Sequence, residues 1–300
     1  MKKAAQTRTA MVTIAGRPNV GKSTLTNTLV GEKIAIVSNK PQTTRNRICA
    51  ILNRGDTQIV FMDTPGFHKA RTRLGDYMVK VVKESVADVD AVILMVEPIA
   101  SAGAQELALI EQIKQSGSPA VLVINKIDTV EKQALLEVIT AYAALHDFEA
   151  VVPICARTGE GVDELLTELE KLAQPGPKLF PEDMVTDQPE RQVCAEIVRE
   201  KLLYCLDKEI PHGTAVVVTK FSERIETEII DLDVTIFCEK ASHKGIIIGK
   251  NGDMLKKVGE MARKDIEKFM GTKVYLQTWV KVKENWRDSD AMLRNFGYSE

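Results

Sequence analysis

Residues 16–23 read Gly-Arg-Pro-Asn-Val-Gly-Lys-Ser, and nothing else in the chain restricts its fold as tightly. The stretch fits G-x-x-x-x-G-K-[ST], follows the apolar run 12–15 and opens a helix-like stretch. That strand–loop–helix context is the one the spacing requires. Glycines let backbone N–H groups turn inward and wrap phosphate oxygens, and the positive end of the following helix adds to the attraction. Lys22 then reaches the outer phosphates, and the Ser23 hydroxyl can ligate Mg²⁺. Gly16, Arg17, Pro18, Asn19, Val20, Gly21, Lys22, Ser23 and Thr24 are therefore the expected phosphate-binding residues.

The surrounding pattern agrees. Residues 12–15, 59–62, 91–96, 120–124 and 151–154 are short, continuous, β-branched runs, which read as strands buried on both faces of a parallel sheet. Amphipathic stretches such as 105–114 and 132–145 lie between them. The alternation predicts an α/β, doubly wound, mostly parallel sheet. Asp163 is expected to cap a last helix carrying Leu165, Leu166, Leu169 and Leu172. Gln174-Pro175-Gly176-Pro177 then breaks any helix, and Pro181 and Pro189 follow. With 300 residues, two domains are expected: residues 1–173, a linker over 174–190, and residues 191–300. The second begins with a helix over 191–206. Ile230, Leu232, Val234 and Ile236 alternate with polar residues, as do Val274, Leu276, Thr278, Val280 and Val282, each set predicting a strand. A glycine loop and a helix over 253–269 lie between them.

Composition removes several classes. A hydrophobic fraction of 44% with 27% charged residues excludes a disordered or fibrous chain. The net charge of −2 predicts no polyanion partner for the molecule as a whole, so such a site must come from local clustering. The longest aliphatic run, 91–96, is far short of the ~20 residues of a membrane helix. The start lacks the apolar core of a secretory leader, and the last residues, Gly-Tyr-Ser-Glu, are not a prenylation box. Five cysteines without a C-x-x-C pair suit reduced thiols, and a cytoplasmic protein is expected.

Two further loops follow predicted strands. Asp63-Thr64-Pro65-Gly66 comes directly after 59–62. An Asp there can hold Mg²⁺ through water, and the Gly66 N–H can approach a terminal phosphate. Asn125-Lys126-Ile127-Asp128 closes 120–124. The Asp128 carboxylate can accept hydrogen bonds from both N1–H and the 2-amino group of guanine, a pair that adenine does not offer. Asn125 would brace the base against the phosphate loop, and the Lys126 stem would cover the ring. GTP or GDP is the expected nucleotide.

With these motifs the first half resembles a small Ras-like GTPase domain. The resemblance makes Thr43-Thr44-Arg45 switch I and favours Thr44 over Thr43 as the Mg²⁺-binding threonine. Lys22, Thr44 and Gly66 become the catalytic set, and Ser23, Thr44 and Asp63 the Mg²⁺ set. Cys155-Ala156-Arg157 stands where the family has Ser-Ala-Lys or similar, with the Ala156 N–H meeting the guanine oxygen and Cys155 a small packed side chain. Phe67 replaces the glutamine that orients water in many relatives. This resembles the subgroup in which the phosphate-loop asparagine, here Asn19, helps bind K⁺; His68 reads either as a base or, the favoured expectation, as a polar loop residue. Slow intrinsic turnover is implied.

In the second half, Ile246-Ile247-Ile248 reads as an apolar strand end before Gly249-Lys250-Asn251-Gly252 and a helix bearing Lys256 and Lys257. This is a KH signature, a loop that clamps a nucleic-acid backbone beside an apolar groove. Residues 240–283 hold eleven basic and four acidic side chains, a local charge of +7, which is the footprint of a polyanion site. Ile248, Gly249, Lys250, Asn251, Gly252, Lys256 and Lys257 are the expected RNA-binding residues. Tyr275 and Trp279 share a face with Lys273, Lys281 and Lys283; the face reads either as a base-stacking surface or, the favoured expectation, as packing against other elements of the domain.

A P-loop GTPase followed by an α+β type II KH domain resembles the Era family of bacterial ribosome-assembly GTPases. Residues 180–187, Lys281-Val282-Lys283 before Trp286, and Leu293 with Gly297-Tyr298 carry the likeness beyond the two motifs. It implies a monomer that binds small-subunit rRNA near its 3′ end under nucleotide control and acts in assembly of the small ribosomal subunit. It also implies peripheral contact with the inner face of the membrane.

Overall fold

The structure, a computed structural model, describes residues 7–40, 42–66, 72–87, 89–224 and 226–298. The chain divides into two compact units: Met1–Ala35, Thr44–Lys69 and Met78–Asp187 form one, and Ile36–Thr43, Ala70–Tyr77 and Gln188–Glu300 the other.

The first unit runs β1 (Arg8–Gly16), α1 (Lys22–Val30), β2 (Ile48–Arg54), β3 (Thr57–Asp63), α2 (Arg73–Ala87), β4 (Ala91–Val96), α3 (Ala104–Ser116), β5 (Ala120–Ile124), α4 (Lys132–Ala143), β6 (Ala150–Pro153), α5 (Val162–Leu172) and β7 (Gln174–Pro175). The sheet order is β2-β3-β1-β4-β5-β6. Only β2 in that path is antiparallel to its neighbour. The continuous apolar strands are buried on both faces. Ile14, Ile93 and Val123 face one apolar layer; Leu94, Leu122 and Ile124 face the other. Phosphate loop, Asp63 loop and Asn125 loop all leave the carboxyl ends of parallel strands, where doubly wound sheets bind ligands.

Three local readings change. Helix α5 is capped by Gly161 in the left-handed region (φ 77°), with Asp163 in its first turn rather than at the cap. A Cβ on Gly161 would collide with the Pro153 carbonyl, so the turn needs the glycine. Strand β2 and helix α2 add to the elements read from the sequence. Residues 174–187, whose prolines suggest a linker, are bonded into this unit. β7 pairs with β1, Ile51 N–H donates to the Val185 carbonyl at 2.9 Å, and Gln58 Nε2 donates to the Phe180 carbonyl at 2.9 Å. Proline forbids a helix there but allows an extended strip, and this one covers the edge strand β2.

The second unit contains α6 (Glu190–Cys205), β8 (Thr214–Arg224), β9 (Ile229–Cys238), α7 (Ala241–Ile248), α8 (Asp253–Met270), β10 (Val274–Val282) and α9 (Asp290–Asn295). Its sheet order is β10-β9-β8, with β10 parallel and β8 antiparallel to β9. The alternating strands put Leu232, Val234, Ile236, Val274 and Val280 into one core with Val198, Leu202, Val258, Ala262 and Ile266. Ile246–Ile248 end helix α7 and are not a strand. Three consecutive isoleucines read as β by propensity, but only Ile247 is fully buried, which suits one face of a helix. Tyr275 and Trp279 are 51% and 56% exposed on the outer face of β10; among the described residues Tyr275 meets another element only through Arg224 of β8, 5.5 Å over its ring, so neither is buried as packing would require.

Candidate nucleotide site and nucleic-acid interface

Strand β1 delivers Gly16 and helix α1 starts at Lys22, so residues 17–21 form the turn between them. Gly21 has φ 108°, and a Cβ there would collide with Asn125 Nδ2, so this position requires glycine. The Lys22 ammonium curls back over the loop and donates to the carbonyls of Gly16 and Arg17, each at 3.0 Å. It is buried, and desolvation lowers its pKa to about 8 against the opposing pull of Asp63.

Ser23, Thr44 and Asp63 meet beside it. Ser23 Oγ donates to Asp63 Oδ2 at 2.7 Å and lies 2.8 Å from Thr44 Oγ1. Burial raises the Asp63 pKa to about 6, while Lys22 and the Ser23 hydroxyl pull the other way. Asp63 Oδ1 is buried with no hydrogen-bond partner among the described residues. A buried carboxylate oxygen left unpaired beside two hydroxyls is a donor set that fits a hard divalent cation. Thr43 points elsewhere, its hydroxyl donating to the Lys40 carbonyl at 2.6 Å. Thr64 Oγ1 donates to the Ile14 carbonyl at 2.9 Å. This anchors the turn through Pro65 to Gly66, where a Cβ would lie 2.9 Å from Pro18. Phe67 and His68 lie outside the described residues.

The base-side residues converge on the same loop. Asn125 Nδ2 donates to the Val20 carbonyl at 2.7 Å, and its Oδ1 accepts from Ala156 N–H at 2.9 Å. One amide therefore clamps the phosphate loop to the 155–157 turn. Lys126 Nζ donates to the Asn19 carbonyl at 2.8 Å. Asp128 accepts from Cys155 Sγ at 3.3 Å and pairs with Arg157 at 2.8 Å. Cys155 is buried and packed as expected. The sequence motifs missed Glu97 and Glu106. Glu97 takes Arg17 at 3.0 Å and Lys126 at 2.5 Å, and the buried Glu106 also pairs with Arg17. They come from separate elements with no shared spacing; the only available signal was that Glu97 directly follows β4.

In the second unit, Gly249 (φ 76°), Asn251 (φ 53°) and Gly252 (φ 84°) form a left-handed turn between α7 and α8. A Cβ on Gly249 would sit 2.7 Å from Met254 Cβ, whereas Gly252 faces open space. Lys250, Lys256 and Lys257 are exposed, and Ile248 is half-buried. The turn thus presents backbone, cations and an apolar edge together, with Ile246 49% exposed.

Comparison with known proteins finds a family for each half of the chain. The family described as 50S ribosome-binding GTPase matches residues 11–126, and the KH domain family matches residues 209–287. GTPase Era of Ruminiclostridium cellulolyticum is 50% identical over 291 residues, covering 97% of each chain. GTPase Era of Alkaliphilus metalliredigens is 50% identical, covering 97% of this chain and 99% of that one. The crystal structure of an Aquifex aeolicus Era variant bound to GDP·AlF4⁻ superposes with a TM-score of 0.94 at 36% identity, covering 98% of this chain and all of that one. Era in complex with MgGDPNP and nucleotides 1506–1542 of 16S ribosomal RNA has the same score, identity and coverage. Among the described residues, no helix is long and apolar enough to cross a membrane.

Proposed function

This chain belongs to the GTPase Era family, a GTPase that binds guanine nucleotide, and we propose that it acts as a switch engaging small-subunit rRNA near its 3′ end during assembly of the small ribosomal subunit. The observation that carries the nucleotide reading is the Asn125 clamp, which joins Val20 of the phosphate loop to Ala156. It sets the base-choosing Asp128 at a fixed distance from the loop that holds the phosphates.

The reaction is transfer of the γ-phosphoryl group of GTP to water, giving GDP and phosphate. Its transition state spreads charge over the equatorial oxygens, so the protein's work is placement and charge stabilisation. In this reading Lys22 would lie along the β- and γ-phosphates, whose negative charge favours its protonated form against the burial that lowers its pKa. Gly66 lends its N–H to the γ-phosphate. Ser23, Thr44 and Asp63 hold Mg²⁺, which neutralises charge between the outer phosphates. Asn19 would help to hold K⁺, which would supply positive charge to the transition state; the replacement of glutamine by Phe67 supports this. Asp128 reads the guanine edge, and Ala156 N–H meets its oxygen.

Ile248, Gly249, Lys250, Asn251, Gly252, Lys256 and Lys257 form the RNA-binding edge. The local charge of +7 over residues 240–283 and the relative bound to 16S rRNA support it. Peripheral contact with the inner membrane face, and a monomeric cytoplasmic form, rest on the family resemblance. Crosslinking to RNA with GTP, with GDP and with neither, followed by sequencing of the bound RNA, tests the reading. Recovery of small-subunit 3′-end sequence in a nucleotide-dependent amount supports it; RNA scattered over all transcripts overturns it.

A further inference from the structure

The second unit leaves two large aromatic side chains in water, both on β10 and both more than half exposed. Side chains alternate along a strand. Val274 and Val280 point into the core shared with α6 and α8, so Tyr275, Gln277, Trp279 and Lys281 line the opposite face of the sheet. Tyr275 and Trp279 are four residues apart on that line, about 13 Å, which leaves room for one base on each ring. Tyr275 is braced from beneath. The Arg224 guanidinium of β8 lies 5.5 Å from its ring centroid. Arg224 is held in turn by Asp231, its Nη2 donating to Oδ1 at 2.6 Å, and Asp231 is the register partner of Tyr275 on β9. The ring is therefore a fixed platform. Between the two rings sits Gln277, whose register partner is Asp233. An amide and a carboxylate there offer a donor and an acceptor to a base edge. Lys281 and Lys283 follow Trp279 along the same line and are exposed.

Single-stranded nucleic acid needs this combination: π-faces for its bases and positive charge for its backbone. A lipid surface would accept the aromatics and lysines, but it would also have to bury Asp231, Asp233 and Gln277 from the same face, which is costly. We infer that the outer face of β10 is a second single-stranded RNA surface, with one base stacked on Tyr275, one on Trp279, and the backbone passing Lys281 and Lys283. The inference rests on the reading of Gly249–Gly252 as an RNA clamp. A turn of that kind holds about four nucleotides, so a longer strand has to leave it. Helix α7, which ends at the turn, packs against β10, and β10 is an edge strand of its sheet. Within this unit, a strand leaving the turn reaches the outer face by rounding that one edge. The two surfaces share no residue, so each can be disabled alone. The face also carries its own reporter. The chain has two tryptophans, and Trp286 is fully buried, its Nε1 donating to the Gly213 carbonyl at 2.9 Å. Quenching by a stacked base therefore reports Trp279.

The test compares a labelled small-subunit 3′-end RNA of about 15 nucleotides with fragments of it about 5 nucleotides long, the length the turn alone can hold. Anisotropy and tryptophan emission are read on the full chain and on its Tyr275→Ala, Trp279→Ala, Trp279→Phe and Gly252→Asp variants. The long RNA should quench the emission of the parent and the fragments should not. Tyr275→Ala and Trp279→Ala should each weaken the long RNA about 10-fold and bind the fragments within about 2-fold of the parent. Trp279→Phe keeps a π-face and should stay within about 3-fold on the long RNA. Both side chains are exposed, so the alanine variants should keep the fold; Tyr275→Ala decides alone if Trp279→Ala melts early. If the parent binds neither RNA, or Gly252→Asp binds the fragments as well as the parent does, the reading of the turn fails and the second surface with it. If the turn holds the fragments, yet the long RNA leaves the emission unchanged or folded alanine variants bind it within about 2-fold, the second surface alone is refuted. Vesicles of phosphatidylcholine and phosphatidylglycerol that shift the Trp279 emission to the blue, where RNA does not quench it, would give the face to lipid and overturn the inference.

Discussion

Placing an aspartate at Gly252 separates the chemistry of the glycine turn from its fold. Gly252 has φ 84°, so any L-residue there is strained by about 1 kcal/mol. A Cβ meets nothing within 4 Å, so no clash is added. The fold should survive with a melting point lower by about 3 °C. The RNA effect is larger. A carboxylate about 5 Å from a phosphate in water opposes it by roughly 0.8 kcal/mol. A displaced backbone contact adds about 1 kcal/mol. Together that is roughly 2 kcal/mol, about 30-fold in Kd. Gly252→Ala shares the strain without the charge and should weaken binding about 5-fold at most. Gly249→Ala should behave differently: its Cβ would stand 2.7 Å from Met254 Cβ and 2.9 Å from Met254 N, so it should unsettle the start of α8. The assay is fluorescence anisotropy with a labelled small-subunit 3′-end RNA, run beside GTP turnover and thermal melting. A folded Gly252→Asp variant that binds this RNA within 2-fold of the parent would refute the reasoning. So would a Gly252→Ala variant as weak as the aspartate.

Asp128→Asn should weaken GTP by a few kcal/mol and admit xanthosine triphosphate, because the amide can donate to the extra carbonyl of xanthine; a variant that still prefers GTP would remove Asp128 from base selection. The exposed ion pair with Arg157 contributes little to that loss. Hydrolysis should run faster in K⁺ than in Na⁺, and Asn19→Ala should abolish the difference; equal rates for the parent in both salts would dismiss the K⁺ site. Lys256→Ala and Lys257→Ala should each reduce the salt slope of RNA binding by about 0.7, as loss of one single-strand phosphate contact would, with slopes read from Kd at four salt concentrations. Gly21→Ala should lose nucleotide binding outright, since its Cβ would displace the Asn125 amide; retained GTP affinity would show that the Asn125 clamp is dispensable.

Much of the nucleotide site was legible because its parts are contiguous in sequence. Gly16–Ser23, Asp63–Gly66 and Asn125–Asp128 each occupy a single turn after a strand, so short spacing reports three-dimensional placement. The residues that were not legible act across long separations. Glu97 and Glu106 reach Arg17 from two other elements, and Arg199 meets Thr43 from 156 positions away. No local pattern marks such a partner, because charged residues on a helix read as solvated until the fold buries them. The isoleucines 246–248 mislead for a related reason. β-propensity reports how a side chain suits a pleated surface, and it yields where one helical face alone is wanted in the core. The prolines of 174–189 do break the helix, but they do not leave a free tether. Proline removes a donor but leaves the carbonyls and neighbouring N–H groups able to pair with an exposed edge strand. That edge, β2, is also the strand that leads out of Thr44 and Arg45. The strip thus pairs with the strand that follows the Thr44 turn, Val185 accepting from Ile51 N–H at 2.9 Å, and that pairing is not written in the motif.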